Sequence, residues 1–415
     1  AFTVEADDGA STDTRSLSIS VGTISLTATD GLVLGDAWTQ RPITLTSSGQ
    51  TATVTFDIVS NQSGGSLSNE NGVAGTATWT PGTTGGASTT DRIRATDTGN
   101  GLTFDLDLDV MPDPTANHTA SFGSSDVWWI DVSTKFGTHA FTTDYHKGLA
   151  DVGLRAASST GALGTEADQI AALWMRIEML RQLNPMFLRN ADGSTGSGLA
   201  ITFPFEEPGA GYTKPSAAST LSGSPLRYSQ MAITHGSSSG VIGTAFLDAL
   251  SNNSHENDTT SGTVELGVFP NQITPIFNSA YSNTLDNNPI TVADVDALKA
   301  LLYELPSPGG RYTLIRNIGR GFARTVAAVL AHEIGHSLGL GHTSPSQSGS
   351  IMNPSALISP SATYAFTAAD VTTLQGGLPG AGKSTGSQTA SQKADAPAGG
   401  VRVCRCRLCA TSEER

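Results

Sequence analysis

The residues whose types and spacing could perform chemistry lie in one run, His332-Glu333-Ile-Gly-His336-Ser-Leu-Gly339-Leu-Gly-His342. On a helix, residues four apart share a face, so His332 and His336 present two imidazoles to one point. Glu333 can reach a water at that point without ligating the metal, as a general base must. Gly339 can end the helix in the left-handed conformation and let His342 return as a third ligand. Three protein ligands leave one position open, so the spacing predicts one catalytic Zn²⁺.

The elements that must position this run are predicted by apolar periodicity and capping residues. An apolar helix over Phe322–Leu338 carries the motif. Upstream, Thr165 caps a helix that we expect to end before Asn184-Pro185, and Thr291 caps another. Three strand-like runs lie between these helices, at Tyr228–Thr234, Gly240–Leu247 and Gly262–Phe269. Residues 113–376, after a Pro-rich linker, are therefore predicted to form an α+β domain.

The histidine run resembles that of the metzincin zinc endopeptidases, and Ser350-Ile-Met352-Asn-Pro354 resembles their Met-turn. The resemblance implies that Met352 is an apolar floor beneath the metal and that Pro354 is structural. Within this group the chain is most similar to matrixins, because a final helix over Phe366–Gln375 follows the Met-turn. No tyrosine follows Met352 at the spacing of astacin-like and serralysin-like relatives, so the likeness implies no tyrosine ligand.

The matrixin resemblance implies a zincin-like catalytic domain that hydrolyses peptide bonds in extracellular proteins, with Glu333 as general base. It also implies that residues 240–247 border the substrate cleft and that Asn353–Ser361 borders the side chain just beyond the scissile bond. Gly262–Phe269 lacks the residues with which matrixins hold structural zinc and calcium, so Ca²⁺ is possible but unsupported. No cysteine precedes the domain, which argues against a cysteine-switch segment.

The first part of the chain contains an internal repeat in which residues 4–21 align with residues 93–110. Alternating apolar and polar residues at 17–21 and 106–110 predict half-buried antiparallel strands. We therefore expect residues 1–21 to end one sandwich repeat and residues 22–112 to form an immunoglobulin-like or cadherin-like β-sandwich. The expected fold is multidomain: an all-β sandwich, an α+β metzincin-like domain and a disordered tail.

Composition narrows the partners and the location. The chain has 23 basic and 37 acidic residues, a net charge of −14, which disfavours nucleic acid. No apolar run is long enough to span a membrane, and no signal peptide is visible, although one could have been removed. We expect a secreted or cell-surface protein with protein or peptide substrates. The alternative is a cell-surface adhesion protein in which the sandwich binds a ligand and the zincin-like scaffold is inactive; the intact Glu333 argues against it.

Residues 377–415 are predicted to be a disordered Gly/Ser-rich tail that is dispensable for peptidase activity. Gly377–Ser384 matches a phosphate-binding loop, but no strand precedes it, so no nucleotide is expected. Cys404, Cys406 and Cys409 have metal-like spacing without a fourth ligand. Other polar groups are interpreted as solvated surface rather than sites: Asp105, Asp107, Asp109, the loop His255–Asp258, and the single histidines His118, His139, His146, His235 and His255.

Overall fold

The structure, a computed structural model, divides into two compact units, Ala1–Asp113 and Pro114–Arg415. It describes residues 2–7, 12–17, 24–28, 34–36, 42–85, 89–111, 126–156, 164–188, 197, 199, 201–208, 212–213, 219–220, 226–247, 253–254, 256–258, 265–307, 309–343, 349–353, 357–359, 363–378 and 402–407. The predicted residues His118, His255, Pro354 and Cys409 lie outside these ranges, as do residues 379–384 of the phosphate-loop match.

The described part of the first unit contains ten strands. They are β1 Phe2–Asp7, β2 Thr12–Leu17, β3 Ser25–Ala28, β4 Leu34–Asp36, β5 Ile43–Ser48, β6 Val54–Ser60, β7 Ser66–Asn71, β8 Thr76–Thr80, β9 Thr90–Asp97 and β10 Thr103–Met111. β1 and β2 pair with each other, whereas the others form two four-stranded sheets, β3-β5-β8-β7 and β4-β10-β9-β6. This strand order is that of immunoglobulin-like sandwiches. The family assignment, and the assignment of residues 1–21 to a preceding repeat, stay predictions.

Side chains from both sheets meet in one hydrophobic cluster, which includes Leu45, Trp79 and Ile93. β5 alternates buried and exposed residues along its whole length, as a strand with one face on a core must. Trp79 completes the core by donating its indole N–H to buried Asp91 at 3.2 Å. The period-2 pattern in the sequence is thus explained by burial between two sheets.

The acidic row on β10 is a solvated strand face, as expected. Asp105 and Asp107 accept hydrogen bonds from Arg94 and Arg92 on β9, in pairs that are exposed to solvent. Asp109 accepts from the Thr90 hydroxyl at 2.8 Å. Because cross-strand arginines occupy two of these carboxylates, the row is not arranged as a cation site.

The second unit is built on a sheet that has two parts, which one β-bridge joins. Its strands are β11 Asp126–Asp131, β12 Ile201–Thr202, β13 Tyr212–Thr213, β14 Ser219–Thr220, β15 Leu226–Arg227, β16 Ser229–Ala232, β17 Val241–Leu247, β18 Asn253–Ser254, β19 Glu256–Asn257, β20 Gly267–Val268 and β21 Arg402–Arg407. One part has the order β12-β11-β16-β19 and the other β20-β17-β21. A bridge between Ile233 and Val268 joins them. β13 pairs with β15, and β14 with β18.

Six helices accompany these strands in the described part of this unit. They are α1 Asp144–Asp151, α2 Glu166–Leu188, α3 Pro270–Ala280, α4 Val295–Leu302, α5 Gly310–Ser337 and α6 Ala368–Gly377, with a 3₁₀ turn at Val292–Asp294. Capping boxes form at Thr165, Thr291 and Thr367, as the sequence indicates for the first two. None of the helices within the described ranges is long and apolar enough to cross a bilayer.

Two helices are longer than predicted. α2 continues through Pro185 instead of ending before it. The cause is burial: Phe187 is fully buried and packs against Phe203 and Phe366 at ring separations of 5.3 and 5.0 Å. This burial offsets the backbone hydrogen bond that proline removes. α5 begins twelve residues before Phe322, where Arg311 in its first turn donates to Asp294 just before α4 and Gly319 lies against Trp174 of α2.

One prediction of solvation is wrong, whereas disorder of the tail stays a prediction. Within the tail predicted over 377–415, the structure describes Arg402–Arg407 as strand β21, whose backbone pairs with the edge of β17. The acidic loop predicted at His255–Asp258 is not a solvated loop where it is described: Asn257 is fully buried and β19 pairs with β16. In both cases the segment pairs with the edge of a strand that lies far away in the sequence.

The contact between α2 and α5 depends on the absence of a side chain at Gly319. A Cβ atom there would lie 2.2 Å from the Trp174 ring, whereas a Cβ at Gly310 on the same helix would meet nothing within 4 Å. We expect Gly319→Ala to lower the free energy of unfolding of this unit by about 1–3 kcal/mol through overpacking. Gly310→Ala, the matched control, should not destabilise it. Denaturant unfolding of both variants checks this, and equal stabilities would contradict the packing argument.

Candidate metal centre

α5 brings two of the predicted ligands to one point. His332 and His336 lie one turn apart near its C-terminal end, and both are fully buried. Their Nε2 atoms are 3.0 Å apart. The helical spacing in the sequence thus directs the two imidazole nitrogens to the same point.

His342 reaches the same point because the helix ends in a Schellman motif. Gly339 adopts φ +94°, its N–H donates to His336 O, and Leu340 N–H donates back to Gly335 O. The chain then reverses, and His342 Nε2 lies 3.2 Å from His336 Nε2. The prediction that Gly339 takes the left-handed conformation is confirmed.

Backbone carbonyls fix the protonation of the two buried imidazoles. His332 Nδ1 lies 2.7 Å from Ile351 O, and His336 Nδ1 lies 2.7 Å from Leu340 O. Since a carbonyl can only accept, each Nδ1 carries the proton and donates it. Each neutral ring therefore directs the lone pair of Nε2 to the common point, as metal-ligating histidines do.

These nitrogens fit a metal ion better than they fit one another. Lone pairs on His332 Nε2 and His336 Nε2, 3.0 Å apart, repel, because both rings carry their proton on Nδ1 and neither Nε2 has one to share. A tetrahedral zinc with Zn–N bonds of about 2.1 Å would hold its nitrogen ligands roughly 3.4 Å apart. The three histidines form a metal-type cluster of ligand atoms within 4.8 Å of one another. The donor set therefore fits Zn²⁺.

Burial keeps the rings neutral, which is the form that binds metal. It lowers the pKa of His332 well below the usual range, and the neighbouring His336 charge lowers it further. Burial likewise lowers the pKa of His336 to about 4, with His342 as the second cause. The unprotonated Nε2 atoms are therefore available to bind a metal ion.

Met352 lies in a tight turn that packs against α5 at Gly335. Asn353 N–H donates to Ser350 O, and Thr343 N–H donates to Met352 O, so the turn is tied to the segment after His342. Met352 is fully buried, and its sulfur would lie 2.7 Å from a Cβ at Gly335. The turn thus packs against α5 between the two buried ligands.

Glu333 is fully buried next to the cluster. Both of its carboxylate oxygens lack a hydrogen-bond partner among the described residues, and burial raises its pKa well above the usual range. An unpartnered buried carboxylate is costly unless a cation or a polar ligand compensates it. Its position next to His332 in the sequence makes a cation held by the histidines a candidate for that compensation.

Gly243 on β17 is a site residue that the sequence did not reveal. A Cβ at this position would lie 2.5 Å from Glu333 Oε1, so only glycine allows the strand to approach the carboxylate. The signal available was an isolated glycine inside a strand pattern, which marks close backbone approach. Asn257 was missed as well: it accepts from Phe246 N–H and donates to Ser337 Oγ, and so links β17 to α5.

The remaining described histidines do not join the cluster. His139 is bonded to buried Asp144 at 2.7 Å, with 8% of its side chain exposed, so it is a buried structural residue and not a surface one. His146 lies next to Thr142, and burial lowers its pKa to about 4. His235 packs against Gly137.

The family model described as Matrixin matches residues 225–376. This segment is matrixin-like. The match begins just before β15 and ends in α6, so it includes β17, all three histidines and the Met352 turn. No curated protein and no solved structure matches the chain. The match and the three clustered histidines together support a zinc metallopeptidase.

His342 is the ligand best suited to testing metal binding in this matrixin-like domain, because it is exposed and its loss should not unfold α5. We expect the parent protein to retain about one zinc per chain after dialysis and the His342→Ala variant to lose most of it. His235→Ala, outside the cluster, should retain zinc. Elemental analysis with circular dichroism measures both, and equal zinc contents would exclude His342 as a ligand.

Proposed function

We propose that this chain is a zinc-dependent endopeptidase that hydrolyses peptide bonds in extracellular proteins. The observation that supports this most is the convergence of three imidazole Nε2 atoms beside a buried carboxylate without a protein partner. His332, His336 and His342 would hold the metal, and Glu333 would act as general base. The extracellular setting follows from the matrixin-like character of residues 225–376.

When bound, zinc would supply the positive charge that makes a water acidic near neutral pH and polarises the scissile carbonyl. The histidines hold their Nε2 lone pairs in place through the Ile351 and Leu340 carbonyls. Glu333 accepts a proton from the attacking water and donates it to the nitrogen of the departing amine. Because the carboxylate begins and ends this cycle in the same protonation state, it acts catalytically.

Substrate would be held along β17. The carbonyl of Ile242 accepts from Phe269 N–H, and Phe246 N–H donates to Asn257, so these residues direct their backbone groups toward β20 and β19. Since successive residues of a strand alternate, Gly243 and Ala245 direct theirs to the opposite edge. An extended peptide pairing with that edge would pass beside Glu333.

The side chain just beyond the scissile bond would meet the segment after the Met352 turn. Within the described part of that segment, Leu357 is fully buried and Ile358 is half-buried. No charged residue occurs from Asn353 to Ser361. The pocket wall is therefore uncharged and partly apolar.

We expect a peptide-library digest to reveal a preference for medium-to-large apolar residues at the position just after the cleaved bond. An apolar pocket gains roughly 1–3 kcal/mol per methylene group in discrimination, so Leu should exceed Ala by about tenfold or more. Mass spectrometry of the cleavage products measures this preference. A dominant Asp, Glu, Lys or Arg at that position would contradict the pocket assignment.

We expect Glu333→Gln to keep zinc and to lower kcat by a factor of about 10²–10⁴, because the amide has the same size but cannot accept the proton. Glu70→Gln on the exposed strand β7 of the other unit is the control and should leave kcat unchanged. Zinc content and hydrolysis of a quenched peptide are measured together. A zinc-loaded parent that cleaves no peptide would instead favour the adhesion protein with an inactive scaffold.

A further inference from the structure

β21, which contains two of the three cysteines, is the strand of the tail that pairs with β17. The pairing is antiparallel and runs from Leu247 opposite Arg402 to Val241 opposite Arg407, with one irregularity between Val241 and Gly243. β17 has β20 as its other neighbour, so β21 is the end strand of this sheet. The tail thus adds a strand to a sheet that begins more than 150 residues earlier in the chain.

This edge of β17 is the one that borders the site. Cys406 stands opposite Gly243, the residue whose Cβ would contact Glu333 Oε1. Paired strands lie about 4.8 Å apart, so the backbone of β21 passes one strand spacing from Gly243, the residue that approaches the Glu333 carboxylate. α5, which carries the carboxylate and two histidines, lies against both strands.

β21 uses the same backbone groups that an extended substrate would use. Ile242 O and Phe246 N–H point toward β20 and β19, so Gly243, Ala245 and Leu247 point toward β21. In the antiparallel register these residues face Cys406, Cys404 and Arg402. One strand edge accepts one partner strand, so tail and substrate exclude each other.

Charge favours this intramolecular pairing. Arg402, Arg405 and Arg407 make β21 the most basic strand of the second unit. Of the chain's 23 basic and 37 acidic residues, six basic and three acidic follow Gly376, so the preceding part carries a net charge of −17. A basic segment is attracted to a body of that sign.

We propose that β21 is an autoinhibitory strand that occupies the substrate-binding edge of β17 and must leave before a peptide can be cleaved. This inference rests on the proposed peptidase function and adds its regulation. A tethered segment has an effective concentration on the order of 1 mM. If its intrinsic Kd is about 0.1 mM, roughly nine-tenths of the molecules are closed, and the KM for substrate rises about tenfold with kcat unchanged.

Three forms of the protein test the proposal: the full chain, a chain ending at Leu378, and the full chain with Cys404→Pro. Cys404 faces Ala245 in the hydrogen-bonded register, and proline removes that N–H. We expect both altered forms to lower KM about tenfold at equal kcat. Val403→Pro is the matched control, because an N–H on the outer side of an end strand can be lost without breaking the pairing. Cys404→Ser controls for the thiol.

Equal KM values for the full chain and the shortened chain would overturn the proposal. Equal changes in KM for Cys404→Pro and Val403→Pro would also overturn it, as would a lower KM for Cys404→Ser. Hydrogen exchange provides a readout besides activity: amides of Gly243, Ala245 and Leu247 should exchange faster in the shortened chain. Faster exchange with no cleavage by any zinc-loaded form would mean that the proposed function fails while the pairing stands. Cleavage without any change in exchange or KM would mean that the proposed function stands while the autoinhibitory pairing fails.

Discussion

His332 Nε2 and His336 Nε2 are buried, lie 3.0 Å apart and have no proton to share, and His342 Nε2 lies 3.2 Å from the second, an arrangement that a cation would stabilise. The rest of the second unit holds the arrangement together. α5 fixes two rings at one-turn spacing, the positive φ of Gly339 returns the third, and the carbonyls of Ile351 and Leu340 set the tautomers. Since Ile351 belongs to the turn that contains Met352, the turn and the first ligand are positioned together. Loss of any of these constraints would let the rings move apart.

The burial of Glu333 has two opposing consequences. Low polarity raises its pKa and favours the neutral acid, which cannot act as a base. A divalent cation at the neighbouring nitrogens opposes this by attraction to the ionised form, and Coulomb attraction is strong where water is excluded. The same burial that disfavours the carboxylate alone therefore strengthens its coupling to the metal. Gly243 completes the enclosure because β17 can approach the carboxylate only without a side chain.

The backbone edge of β17 links the chemistry to the tail. A strand edge presents unpaired N–H and C=O groups, and in natural proteins such an edge is covered, blocked or used for binding. Here Arg402–Arg407 covers it. Edge pairing needs little side-chain specificity, because the hydrogen bonds are made by main-chain atoms. This explains why a segment without hydrophobic periodicity can dock on the sheet as a strand.

The sequence by itself determined the parts that depend on local spacing. The His332/His336 pair, the helix end at Gly339, the capping boxes and the alternation of the sandwich strands all follow from helical or strand periodicity within a few residues. Tertiary structure alone decided the parts that depend on distant contacts. α2 continues through Pro185 because Phe187 is buried against Phe203 and Phe366, and Gly243 matters because of Glu333, ninety residues later. β21 is a strand because an edge more than 150 residues away accepts its backbone. Local periodicity is encoded in neighbouring residues, whereas burial and edge pairing arise only once the chain has brought remote segments together.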